Sequence, residues 1–307
     1  MPWQSCDIIL NSGSTGCFYA GDIITGTVVV KFQQKQKIEH FDLDVTGISK
    51  ASWTRPMPTI PYIKIYSEKR VVLSIKTDIF PELQGRSVAA GTYTHPFYFS
   101  LPPDLLSSFK SSTAKVFYFV KVQCKAAYKF KKKTFVPFNV SRNVDLNHLE
   151  EFLVPTFTEM HKIFWNSAKL SMQLQTHTGF APNQMISFEV MICNESRVKL
   201  SKLSITLVRQ IEYNVSSGYL KEEKRIENVT YNKFKNEEKE VCNLSMKIPP
   251  ANPSSDYSMI KIEYKFSVNS LYLQHNSDKI VFKINIMLKY KLFVLGNTGF
   301  SISFLHT

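Results

Sequence analysis

The densest chemically potent grouping in the 307-residue chain is YKFKKKTF, where Lys129, Lys131, Lys132 and Lys133 stand within five positions beside Phe130 and Phe135. Ammonium groups set this closely attract anions, so the chemistry they offer is electrostatic capture of an anionic membrane surface or an acidic partner segment. A second set, Lys31, Lys35 and Lys37, offers the same. The whole chain leans this way: 38 Lys and Arg against 25 Asp and Glu leave a formal net charge of +13, which favours phosphorylated tails, anionic lipid or nucleic acid as partners. Lysines at a turn also have an architectural use, protecting a sheet edge from pairing with other chains. Nucleic acid is the weakest of the three partner classes. The aromatic residues mostly take inward positions of alternating strands, and there is no RNP-like motif, KH loop or zinc module.

Bond-making chemistry has less to work with. His40, His95, His148, His161, His177, His275 and His306 are scattered, and no HExxH pair, GxSxG elbow, Walker loop or GxGxxG turn is present. Asp42 and Asp44 share one strand face, which alternating polar residues on a wet face explain without acid or base work. Five cysteines (Cys6, Cys17, Cys124, Cys193 and Cys242) are odd in number and widely spaced, with no CxxC pair for zinc or redox exchange. The expectation is a binding protein, not an enzyme, with no metal and no cofactor.

Cysteine usage fits a reducing compartment. The start MPWQSCDIIL has no basic stretch, no long apolar core and no small-residue cleavage site, so it is not read as a signal peptide. No apolar run reaches about 18 residues, so no membrane span is expected. The triplets at Asn139, Asn194, Asn214, Asn228 and Asn243 match the glycosylation pattern, but they carry weight only in a secreted chain.

Period-2 alternation dominates the elements that must position these residues. Phe41, Leu43 and Val45 alternate with Asp42, Asp44 and Thr46. Val120, Val122, Cys124 and Ala126 alternate with Lys121, Gln123 and Lys125. Ile260, Ile262, Tyr264 and Phe266 alternate with Lys261, Glu263 and Lys265. Strands with one buried and one wet face belong to antiparallel sheets, and two packed sheets per lobe follow. The best helical candidate, NHLEEFL near residues 147–153, is short and stops at Pro155. The expected fold is all-β: two tandem immunoglobulin-like antiparallel β-sandwiches, at residues 1–148 and 167–307, joined by a linker at 149–166.

The chain also repeats itself. FYAGDII at Phe18 to Ile24 returns as FAPNQMI at Phe180 to Ile186, and LPPDLLSS at Leu101 to Ser108 returns as IPPANPSS at Ile248 to Ser255. Gly21 aligns with Asn183, and both residue types accept positive φ, so each is expected to turn the chain into the next strand. The pairs Pro102–Pro103 and Pro249–Pro250 cannot donate to a ladder, so they end one strand and fix an extended loop.

These motifs, in this order, resemble the arrestin-fold proteins, and specifically the α-arrestins. GDIITGTVVV, which holds Gly21, Asp22 and Gly26, together with Gly47 and Trp53, AGTYTHPFYFSLP, SSF and FNVSRNVDLN, is similar to the family's N-terminal lobe. GFAPNQMISFEVMICNES and IPPANPSSDYSMIKIEYKFSV are similar to its C-terminal lobe. The resemblance implies paired sandwiches and a cytosolic adaptor. Such an adaptor engages cytoplasmic segments of membrane cargo, such as receptors and transporters, and directs endocytosis or ubiquitin-dependent sorting at the plasma membrane or endosomes. The PPxY motifs by which many α-arrestins dock ubiquitin ligases are absent, since the only PP pairs continue as PPDL and PPAN, so direct ligase docking is not expected. The alternatives are an arrestin-fold coat scaffold of the retromer type, or an extracellular immunoglobulin-like binding tandem. Trp53 and the Phe97 to Phe99 cluster are candidate recognition anchors or core residues. A free sheet edge could take a cargo peptide as an added strand.

Overall fold

The computed structural model describes residues 3–11, 16–56, 62–127, 131–142, 154–163, 169–195, 199–257, 259–273, 281–282 and 288–292. The helical candidate at residues 147–153 and Lys129 lie outside them. The chain forms two compact units, Met1–Arg142 with Val215–Gly218, and Asn143–Asn214 with Tyr219–Thr307. Every regular element among the described residues is a strand.

In the first unit the strands are β1 (Ser5–Leu10), β2 (Cys17–Tyr19), β3 (Ile23–Phe32), β4 (Gln36–Pro56), β5 (Ile63–Asp78), β6 (Ser87–Val88), β7 (Gly91–Ser100), β8 (Phe109–Lys110), β9 (Ala114–Ala126) and β10 (Lys132–Ser141). They make a three-stranded sheet, β1-β3-β7, and a seven-stranded sheet, β2-β10-β9-β4-β5, with β6 on β4 and β8 on β9.

The second unit opens with β11 (Thr156–Ile163), β12 (Lys169–Thr176), β13 (Gly179–Phe180), β14 (Met185–Cys193), β15 (Lys199–Val215) and β16 (Gly218–Tyr231). It continues with β17 (Lys239–Lys247), β18 (Ser255–Asp256), β19 (Ile260–Leu273), β20 (Val281–Phe282) and β21 (Leu288–Leu292). Its sheets run β11-β12-β14-β17 and β13-β21-β19-β15-β16, with β18 and β20 on β19. Replacing β1, β3 and β7 by β12, β14 and β17, and β2, β10, β9, β4 and β5 by β13, β21, β19, β15 and β16, turns one strand order into the other, with β11 as an added edge strand in the second unit. The duplication seen in short words is thus a duplication of topology.

The stretch 149–166, expected as a linker, contains β11, which pairs antiparallel with β12 from Thr156↔Thr176 to Ile163↔Lys169. Its alternation, TFTEMHKI, is too polar to stand out as a strand from sequence. Among the described residues two pairings are parallel, β2 with β10 and β13 with β21, where antiparallel sheets are expected from the sequence. The reason is local: β2 and β3 are one run of chain that switches sheets at a turn, so β2 reaches the β10 edge in a fixed direction. The same holds for β13 and β14.

Alternation fixes the cores. On β9, Val116, Tyr118, Val120, Val122, Cys124 and Ala126 are buried, and on β19 so are Ile260, Ile262, Tyr264, Phe266 and Val268. Each large aliphatic or aromatic side chain so buried stabilises the fold by about 1.5–3 kcal/mol. The first residue of each repeated motif enters its own core: Phe18 lies edge-on to Phe138 at 5.8 Å, and Phe180 edge-on to Phe266 at 5.8 Å. Gly47 faces Tyr118 across the β4–β9 ladder, and a Cβ there would collide with the tyrosine ring and Leu73. A Cβ on Gly26 would come within 2.5 Å of the Ile9 carbonyl and of Phe97. Trp53, Phe97 and Phe99 are themselves buried, so they serve as core residues.

Candidate functional site

The repeated words build matching turns. Gly21 has φ 93° and Asn183 has φ 66°. Beside them the Tyr19 N–H donates to Asp22 Oδ2 at 2.7 Å, and the Ala181 N–H donates to Gln184 Oε1 at 2.9 Å. The backbone follows suit: the Leu101 N–H donates to the Asp22 carbonyl at 2.8 Å, and the Ile248 N–H to the Gln184 carbonyl at 2.9 Å. Leu101 and Ile248 immediately precede Pro102–Pro103 and Pro249–Pro250, so the two repeated words of each unit meet at one corner. Further along the same loops, buried Tyr118 donates to the Leu106 carbonyl at 2.7 Å and buried Tyr264 to the Asn252 carbonyl at 2.6 Å. Alternation in the sequence marks Tyr264 only as an inward position and does not single out Tyr118. The available signal was that each sits at the same place in its copy, on the strand after the proline loop.

The lysine cluster is divided by the strand that carries it. β10 runs antiparallel to β9, from Lys132↔Cys124 onward, so neighbouring residues point to opposite faces. Lys132 turns inward: its Nζ donates to the Trp3 carbonyl at 3.1 Å and stands 5.8 Å over the Trp3 ring. Lys133 turns outward and is exposed, as is Lys131 just before the strand.

Tertiary structure brings the second basic set beside the first. The Ala127 N–H, in the turn after β9, donates to the Lys37 carbonyl at 2.9 Å, and the Gln4 N–H donates to the Lys31 carbonyl at 2.7 Å, next to Trp3. Lys31, Lys35 and Lys37 are all exposed. The β3–β4 and β9–β10 turns thus form one basic end of the first unit. The acidic groups bordering it are partly engaged: Lys125 pairs with Glu39 at 2.6 Å, and that contact holds the Glu39 carboxyl below its ordinary range.

Asp42 and Asp44 are likewise occupied. Asp44, nearly buried, pairs with Lys121 at 2.5 Å, and Asp42 accepts from Gln123 Nε2 at 3.2 Å. Burial, reinforced by Asp7, pushes the Cys6 thiol up to about 12, and burial likewise takes Cys124 to about 12 and Cys242 to about 11. Thiols so placed are poor nucleophiles. Among the described residues no three His, Cys, Asp or Glu side chains gather as metal ligands, and no helix is long and apolar enough to cross a membrane.

Two β-sandwich units with matching corners, the first of them carrying a basic end, define the class of protein. Two family models match the chain in tandem: "Arrestin (or S-antigen), N-terminal domain" over residues 6–147 and "Arrestin (or S-antigen), C-terminal domain" over residues 166–290. The chain belongs to the arrestin family, in its arrestin domain-containing, or α-arrestin, branch.

It is 24% identical to arrestin domain-containing protein 5 of Homo sapiens over 204 residues, 64% of this chain and 59% of that protein. The Bos taurus protein of the same name is 24% identical over 219 residues, 68% of this chain and 65% of its own. Arrestin domain-containing protein 4 of Homo sapiens is 22% identical over 283 residues, 86% of this chain and 66% of its own. The matched segments span less than two thirds of the first two relatives' length.

Proposed function

We propose that this protein is a non-enzymatic adaptor that binds cytoplasmic segments of membrane proteins and directs their trafficking, endocytosis or ubiquitin-dependent sorting. The observation that carries the reading is the basic end of the first unit, where Lys31, Lys35, Lys37, Lys131 and Lys133 come together from two separate turns. Such an end attracts acidic segments and the anionic leaflet beside which they emerge, each lysine near that leaflet contributing roughly 1 kcal/mol. Membership in the arrestin family supports the same role by analogy of fold. The protein then works in the cytoplasm, at the surface of the plasma membrane or endosomes. Both PP pairs belong to the structural corners, so neither is read as a ligase-docking motif.

Proximity labelling in the native cell tests the role. Membrane proteins and trafficking components should be enriched, and enrichment should fall when Lys131 and Lys133 are both changed to Glu. A labelled set with neither class of protein would end the adaptor reading.

A further inference from the structure

The outer face of the seven-stranded sheet in the first unit carries a stripe of aromatic rings that the core does not use. Phe117 and Phe119, both half-buried on β9, stack at 6.1 Å, and Phe119 meets Phe135 of β10 edge-on at 6.3 Å. Phe135 is 65% exposed, and Pro137, opposite Phe119, continues the apolar strip. Lysines close both ends. Lys115 stands 4.8 Å over the Phe117 ring with Lys110 paired beside it, and Lys133 lies opposite Gln123 at the other end. Partly exposed aromatic rings are enriched at interaction surfaces, and the cations beside them gain from the ring faces as well as from their own charge.

The geometry points to this stripe as the docking site for an extended, acidic segment of a partner polypeptide that carries apolar residues at alternate positions. The claim rests on the adaptor reading and specifies how a cargo segment is held. Its charge excludes broader ligands. Asp44 is neutralised by Lys121, whereas Asp42, half-buried, and its exposed ladder partner Asp78 lie on the same outer face beside the stripe. A flat anionic bilayer, or a nucleic-acid backbone, would set its phosphates over these carboxylates as well as over the lysines. An extended segment one strand wide follows the rings and meets cations at its two ends. From Lys115 to Gln123 the stripe is about 26 Å long, which an extended peptide of about nine residues covers. Period-2 alternation would lay every second side chain on the rings and turn the acidic ones outward, where the long Lys115, Lys110 and Lys133 side chains reach them around the segment's edges.

Fluorescence anisotropy on the full chain tests this, with a fluorescein-labelled peptide of alternating Glu and Leu, about nine residues long, and a Lys–Leu counterpart. The Glu–Leu peptide should bind and the Lys–Leu peptide should not. Phe135→Ser should weaken binding by about tenfold, and Lys115→Glu with Lys133→Glu by more than that. Lys247→Glu, an exposed position in the second unit, should leave it unchanged. The changed side chains on the stripe are exposed, so melting temperatures should hold.

Failure of the wild-type chain to bind the Glu–Leu peptide, or equal binding by the stripe variants, overturns the proposal. So does a result in which the stripe variants lose binding to phosphatidylserine vesicles or single-stranded RNA but keep the peptide. If the peptide fails while native proximity labelling still returns membrane proteins, the stripe falls and the adaptor stands. The reverse pattern keeps the stripe and removes the adaptor.

Discussion

Tyr118 and Tyr264 make the same hydrogen bond in different halves of the chain: each buried phenol donates to a backbone carbonyl twelve residues upstream, Leu106 at 2.7 Å and Asn252 at 2.6 Å. Each bond ties the loop after the proline pair to the central strand of its large sheet. A hydroxyl in an apolar interior is stable only with such a partner, and the loop carbonyl gains one as well.

Tyr118→Phe and Tyr264→Phe should therefore each destabilise their own unit by about 1–2 kcal/mol, since the carbonyl is left without its donor while the ring still packs. Urea unfolding followed by tryptophan fluorescence and circular dichroism measures the loss. No change for either variant would mean that the loops are held by other contacts.

The sheet-switching turns should obey residue-specific rules. Asn183→Gly should be nearly neutral, because glycine accepts the φ of 66° without strain, whereas Gly21→Ala and Asn183→Ala should each cost about 1–2 kcal/mol. Thermal melts of the three variants check this ordering.

Adjacent lysines should behave differently. Lys132→Met should lower stability by about 1 kcal/mol, since it loses the hydrogen bond to the Trp3 carbonyl and the contact with the indole ring. Lys133→Met should leave stability unchanged and weaken binding of the acidic Glu–Leu peptide. Parallel melts and anisotropy titrations separate the two effects.

Stability should fall in alkali. The Cys124 thiol ionises from an ordinary value of 9.0 in the unfolded chain, and burial pushes it up to about 12 in the folded one. Tyr264 likewise moves from 10.0 to about 12, chiefly through burial. Between these limits the folded state holds more protons than the unfolded state. Their contribution is therefore complete below pH 9.0 and is lost as pH rises toward 12, by roughly 1 kcal/mol per pH unit for each group. Urea midpoints from pH 8 to 11 should show the decline, and Cys124→Ala should make its first part shallower, with Cys6 and Cys242 supplying the remainder.

The sandwiches, their duplication and the inward set of each long strand follow from local patterning, because side-chain direction alternates along an extended chain whatever lies around it. Val120, Val122 and Cys124 could point only one way once their neighbours were Lys121 and Gln123. Gly21 and Asn183 were legible as turns for an equally local reason, the cost of positive φ in other residues. Tertiary structure alone decided the rest. It drew β11 out of an expected linker, gave Tyr118 and Tyr264 their carbonyls, and took Lys132 out of the basic cluster while bringing Lys37 beside it. It also placed Phe117, Phe119 and Phe135 on one open face. Those outcomes depend on which strands become neighbours, and strand pairing joins residues far apart in the chain by contacts that no local pattern records.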